Sequence, residues 1–131
     1  MEYRVPINAE HDVTRAVLQT KRCAAAAGFD DAAASMLATV ASELARNIVK
    51  YARTGEVVVS VLDEADGPGV QIVAADQGPG IEDVEQAMQE SYSSGGTLGL
   101  GLPGVKRMVD DMRIDTAPGH GTTVTVRKIL P

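Results

Sequence analysis

Residues 70–80 read Val70-Gln71-Ile72-Val73-Ala74-Ala75-Asp76-Gln77-Gly78-Pro79-Gly80. By alternation Val70, Ile72 and Ala74 share one face of a strand, and Asp76 is the next residue on that face. An ionisable group ending an apolar strand face must be paired or must open on a pocket. The glycines that follow let a backbone turn sharply or approach a flat ring. Upstream, Glu56-Val57-Val58-Val59-Ser60-Val61-Leu62 is a β-branched run and Asp66-Gly67-Pro68-Gly69 a turn. Residues 56–62 and 70–76 therefore predict a hairpin.

Toward the N-terminus, Tyr3, Val5 and Ile7 alternate around Pro6, which predicts an edge strand over residues 2–7. Asn8 is placed to cap a helix that runs to Ala27 and stops at Gly28; Asp30 or Asp31 starts a second helix that reaches about Ala52. Toward the C-terminus the pattern predicts a short helix near 82–89 and a flexible stretch from Ser91 to Leu102. A helix from Pro103 to about Asp111 follows, then strands over 113–117 and 122–129 around Pro118-Gly119-His120-Gly121. Paired helices between hairpins predict an α+β fold: a two-layer α/β sandwich, with one helical layer on a mixed, mostly antiparallel sheet. The 131 residues are expected to form a single domain, 1–131.

Lys and Arg total 12 and Asp and Glu 18, a formal charge of −6, with no dense basic block. That balance disfavours nucleic-acid binding. No apolar stretch reaches bilayer-spanning or signal-peptide length, so the expectation is a cytoplasmic protein without a membrane partner. The one cysteine, Cys23, has no internal partner and reads as a core or surface thiol.

On the second helix, at about 100° per residue, Met36, Leu37, Val40, Leu44, Ile48 and Tyr51 fill one sector. Asn47 falls inside that sector and Glu43 at its border, one turn apart on the same face. In the last strand Thr122 precedes Val124 and Val126 on their face. Glu43, Asn47, Asp76 and Thr122 thus all point into the layer between helices and sheet, each near the end of its element. One polar cleft at the mouth of the core accounts for all four. Separately each has a structural alternative: Asp76 as a turn or cap residue, Glu43 paired with Lys50 or another helix cation, Asn47 tying down a loop, Thr122 satisfying a strand end.

A second glycine-rich run, Ser93-Ser94-Gly95-Gly96-Thr97-Leu98-Gly99-Leu100-Gly101-Leu102, opens a helix, where backbone N–H groups suit phosphate. Gly99 to Gly104 fits G-x-G-x-x-G, but a Ser/Gly loop rather than a strand precedes it and too little chain follows for a dinucleotide-binding unit. No P-loop sequence is present.

The ordered set Glu43-x-x-x-Asn47, Asp76-x-Gly78-x-Gly80, Gly99-x-Gly101 and Gly121-Thr122 resembles the boxes of the GHKL ATPase/kinase superfamily, whose fold is the Bergerat ATP-binding fold. Within it, Ser42-Glu43-Leu44-Ala45-Arg46-Asn47-Ile48 and Gly99 to Met108 look like the RsbT-type serine/threonine switch kinases of bacterial stress signalling. The resemblance implies ATP and Mg²⁺ as cofactors. It implies Glu43 as general base, Asn47 as Mg²⁺ ligand, and Asp76 as acceptor for the adenine amino group, with Gly78, Gly80, Ile81 and Thr122 beside it. Gly95, Gly96, Thr97, Leu98, Gly99, Leu100 and Gly101 would hold the phosphates, and Ser91, Ser93 and Ser94 would lie in a lid. The implied activity is phosphorylation of a STAS-domain protein on serine or threonine, followed by activation of a metal-dependent serine/threonine phosphatase. The alternative is an anti-sigma factor that binds ATP and sequesters a sigma factor. Arg46 reads as a solvent or partner-surface charge, and Lys106 and Arg107 as solvated helix charges, with phosphate neutralisation or partner contact as the functional alternatives.

Overall fold

The computed structural model describes residues 1–64, 67–79 and 101–131. In chain order these form β1 (Glu2–Ile7), α1 (His11–Ala27), α2 (Asp31–Asn47), a π-helical turn (Ile48–Ala52), β2 (Gly55–Glu64), β3 (Gly67–Asp76), α3 (Gly101–Met108), β4 (Asp111–Thr116) and β5 (Thr122–Ile129). The sheet has five strands in the order β1-β2-β3-β5-β4, and its four pairings are antiparallel rather than mixed. The short helix expected near 82–89 lies outside the described residues.

Strand alternation sorts the sheet into two faces. Val5, Val57, Ala74, Val124 and Ile114 stand in one row across all five strands, and Tyr3, Val59, Ile72, Val126 and Met112 in the next. These rows join the core with Val13, Ala16 and Cys23 of α1 and Leu37, Val40 and Leu44 of α2. The opposite face carries Arg4, Glu56, Gln71, Arg113 and Arg127, with Arg4 pairing Glu56 at 2.6 Å and Arg127 donating to Gln71 at 2.8 Å. Helices therefore cover one face, and the result is a two-layer α/β sandwich. Among the described residues no helix is long and apolar enough to cross a membrane.

Helix boundaries follow local chemistry. Gly28, at φ 100°, ends α1, with its own N–H on Ala25 O and the N–H of Phe29 on Ala24 O. Asp30 caps α2 by accepting the N–H of Ala33 at 2.8 Å. Asn8 does not cap α1. Its N–H and that of Ala9 instead donate to Asp12 Oδ2 at 2.9 and 3.1 Å, and the helix begins at His11. Asp12, buried in the first turn, thus ties down the chain entering the helix, and these backbone donors hold its carboxyl below the usual aspartate range.

Three expected boundaries move. The turn residues Gly67 to Gly69 belong to the ladder, pairing Glu64 with Gly67 and Asp63 with Pro68, so β3 begins earlier. The helix predicted from Pro103 starts at Gly101 and ends at Met108, and β4 takes over at Asp111. The second helix does not run unbroken to Ala52: past Asn47 it widens into the π-helical turn, closed by Arg53 N–H on Ile48 O at 2.8 Å. That change of period rotates Tyr51 to the surface, where it is 48% exposed under Lys50 Nζ at 5.1 Å from its ring. Met36 is likewise 41% exposed, because the buried face of α2 centres on Leu37, Leu44 and Ile48.

Candidate functional site

The last row of the sheet turns polar on β3, β5 and β4, where the rows behind it are apolar. It runs Ile7, Gly55, Asp76, Thr122, Thr116 across β1, β2, β3, β5 and β4. Asp76 lies at its centre and is half-buried. Its Oδ1 accepts two backbone N–H groups, from Gly78 at 2.9 Å and from Thr122 at 3.2 Å. Both bonds fall on one oxygen, so the carboxylate is oriented while its acceptor capacity is only partly used.

The neighbours of Asp76 are small because backbone fills the space. Gly121 has φ +78°, and a Cβ there would lie 2.2 Å from the carbonyl oxygen of Asp76. A Cβ on Gly78 would lie 2.6 Å from Cβ of Ala52, so the π-helical turn packs directly on the glycine box. The 117–121 turn is also tied to that box, with Gly119 N–H donating to Pro79 O at 2.7 Å. The Asp76 corner is thus walled by the end of the second helix on one side and the β4–β5 hairpin on the other.

Thr116 is a site residue that sequence reasoning missed. Its hydroxyl donates to Gly121 O at 3.0 Å and lies 2.9 Å from the hydroxyl of Thr122. With the Thr116 proton committed to Gly121, Thr122 donates to Thr116 and keeps its own lone pairs as acceptors. The signal lay in the alternation of β4, but only the register of β4 on β5 places Thr116 opposite Thr122.

Glu43 and Asn47 stand one turn apart on α2, as expected. Glu43 is 8% exposed, one of the few buried charged residues in the described chain, and Asn47 is half-buried. Of the helix cations that could pair with Glu43, it is Arg46 that does: its Nη1 lies 3.5 Å from Oε1. The residue after Asn47, Ile48, reaches the Asp76 corner, since its Cγ2 would lie 2.8 Å from a Cβ on Gly55, where Cβ of Asp76 would be 3.2 Å away. The structure therefore gathers Asp76, Gly78 and Thr122 closely and brings the end of α2 against them. Gly101 opens α3, which packs on α2. Gly80, Ile81, Gly95, Gly96, Thr97, Leu98, Gly99 and Leu100 lie outside the described residues, as do Ser91, Ser93 and Ser94. Lys106 and Arg107 are exposed.

With this geometry in place, a family model described as "Histidine kinase-like ATPase domain" matches residues 5–128. The chain belongs to the histidine kinase-like ATPase domain family. Serine/threonine-protein kinase RsbT of Bacillus subtilis is 37% identical over 126 residues, covering 96% of this chain and 95% of that protein. Anti-sigma F factor of Pasteuria penetrans is 37% identical over 98 residues, 70% of this chain and 65% of that protein. Among solved structures, the RsbU and RsbW domains of Rv1364c from Mycobacterium tuberculosis share the fold with a TM-score of 0.69 at 20% identity, over 99% of this chain and 32% of that one. The mycobacterial sensor histidine kinase MprB shares it with a TM-score of 0.59 at 22% identity, over 98% and 97% of the two chains.

Proposed function

We propose that the chain is an ATP-dependent protein serine/threonine kinase working as a partner switch on a STAS-domain protein. The observation that carries the reading is Glu43, a nearly buried carboxylate one turn before Asn47 with only a long contact to a cation. A binding module has no need of a carboxylate kept out of water with acceptor capacity to spare; a phosphotransferase uses one as general base. Relatedness to RsbT along nearly the whole of both chains supports the same choice.

In this reading Asp76 accepts from the adenine amino group through the capacity that Gly78 and Thr122 leave open, and Thr122 accepts beside it. Gly78, Gly80 and Ile81 would lie beside the ring, and the N–H groups of 95–101 would hold the phosphates. The side-chain oxygen of Asn47 suits Mg²⁺, which takes few protein ligands and fills its shell with phosphate and water. An amide oxygen together with phosphate oxygens is a hard-oxygen donor set of the kind Mg²⁺ takes. When bound there, the ion would supply charge neutralisation. Glu43 takes the proton of the acceptor hydroxyl as its oxygen bonds to the γ-phosphorus, and the bond from that phosphorus to the β–γ bridging oxygen breaks, leaving ADP. We place residues 1–131 as one catalytic unit in the cytoplasm, with a metal-dependent serine/threonine phosphatase as the downstream partner.

Incubating the chain with labelled ATP, Mg²⁺ and a STAS-domain protein encoded beside it tests the reading. Phosphate is expected on a serine or threonine of that protein, and Glu43→Gln is expected to abolish transfer while sparing ATP binding. Transfer by Glu43→Gln at the native rate would overturn the general-base role. The second reading, an anti-sigma factor, is favoured by the similarity to the Pasteuria protein. It predicts ATP-dependent capture of a sigma factor without phosphate transfer.

A further inference from the structure

We propose that Arg46 is a positioning residue for Glu43, and that Glu10 holds Arg46 in that place. The inference rests on Glu43 being the general base. Arg46 follows Glu43 by three residues on α2, which turns its side chain back over the same face. Its guanidinium is bracketed by two carboxylates from different elements: Nη1 lies 3.5 Å from Glu43 Oε1, and Nε lies 3.7 Å from Glu10 Oε1. The three side chains form a gradient of exposure, 10% for Glu43, 54% for Arg46 and 72% for Glu10, leading from the layer between helices and sheet to solvent.

The distances decide what Arg46 does. Arg46 sets a full positive charge beside the buried Glu43 carboxylate, and that charge fixes where the carboxylate points. A short bidentate guanidinium pair would supply that charge but would occupy the oxygens the acceptor hydroxyl must reach. At 3.5 Å the contact is beyond good hydrogen-bond length, so the charge is present and the lone pairs are left available. Glu10 completes the arrangement. It occupies the N-cap position of α1, yet its side chain makes no cap bond and instead reaches across to α2. It keeps the guanidinium from swinging inward onto Glu43 or away into solvent.

The test uses the full chain, labelled ATP with Mg²⁺, and the STAS-domain protein. Arg46→Ala should lower kcat by about 10-fold or more while KM for ATP stays within about twofold, because a positioned base is worth roughly 100-fold or more and ATP is held elsewhere. Arg46→Lys should recover part of the rate, since it restores the charge without the planar fork. Glu10→Gln should have a smaller effect of the same kind. An inactive Glu43→Gln beside a fully active Arg46→Ala would overturn this inference and leave the general base standing. A fully active Glu43→Gln would overturn both. An equal loss in Arg46→Ala and Arg46→Lys, accompanied by lower stability in urea, would assign Arg46 a structural role only.

Discussion

The backbone N–H of Thr122 donates to Oδ1 of Asp76 at 3.2 Å from the facing position on the neighbouring strand, and the same oxygen accepts from Gly78 at 2.9 Å. The carboxylate is held by its own sheet before any ligand arrives, so its direction does not have to be fixed on binding. Asp76→Asn keeps one carbonyl oxygen for those donors but presents an NH₂ group where the ligand also donates. Isothermal calorimetry with Mg-ATP should show affinity falling about 10- to 100-fold, the equivalent of a charge-assisted hydrogen bond of roughly 1.5–3 kcal/mol.

Gly121→Ala strikes the same corner through the backbone. The residue has φ +78°, and the new Cβ would lie 2.2 Å from a carbonyl oxygen that cannot rotate away. The left-handed conformation alone is worth about 1–3 kcal/mol against a residue with a side chain. Urea unfolding should show at least that loss, together with weaker ATP binding, because the displaced atom belongs to Asp76.

Arg53→Gly should act in the opposite sense. Arg53 is the one positive-φ residue other than glycine among the described residues, at φ 72° and ψ −42° where the π-helical turn hands over to β2. Glycine removes that strain and adds freedom to the unfolded chain, and the first effect is the larger, for a net gain of about 1 kcal/mol. Thermal unfolding should show a midpoint a few degrees higher.

Asp12 predicts a specific acid sensitivity. The Asn8 and Ala9 N–H groups lower its pKa in the folded chain. A lowered carboxyl pKa stabilises fully above the unfolded value of about 3.9 and is lost as pH falls through the folded value. Asp12→Asn should therefore be less stable than the native chain at neutral pH, and the difference should shrink as pH falls below about 4. Melting curves across pH 2–7 would show the two converging; a difference constant over that range would refute it.

The sequence by itself determined the two layers and much of the candidate site. Alternation placed Asp76 and Thr122 at the ends of apolar strand faces, and the helical period placed Glu43 and Asn47 together, because both periodicities are local properties of the backbone. Gly28 and Asp30 were legible for the same reason. Only the tertiary structure decided that β5, not β4, lies beside β3, which sets Thr122 opposite Asp76 and Thr116 opposite Thr122. It also decided that Arg46 turns inward to Glu43 and that the helix widens after Asn47, carrying Tyr51 out and Ala52 onto Gly78. Strand neighbours and side-chain direction depend on what packs against an element, and no local period carries that information.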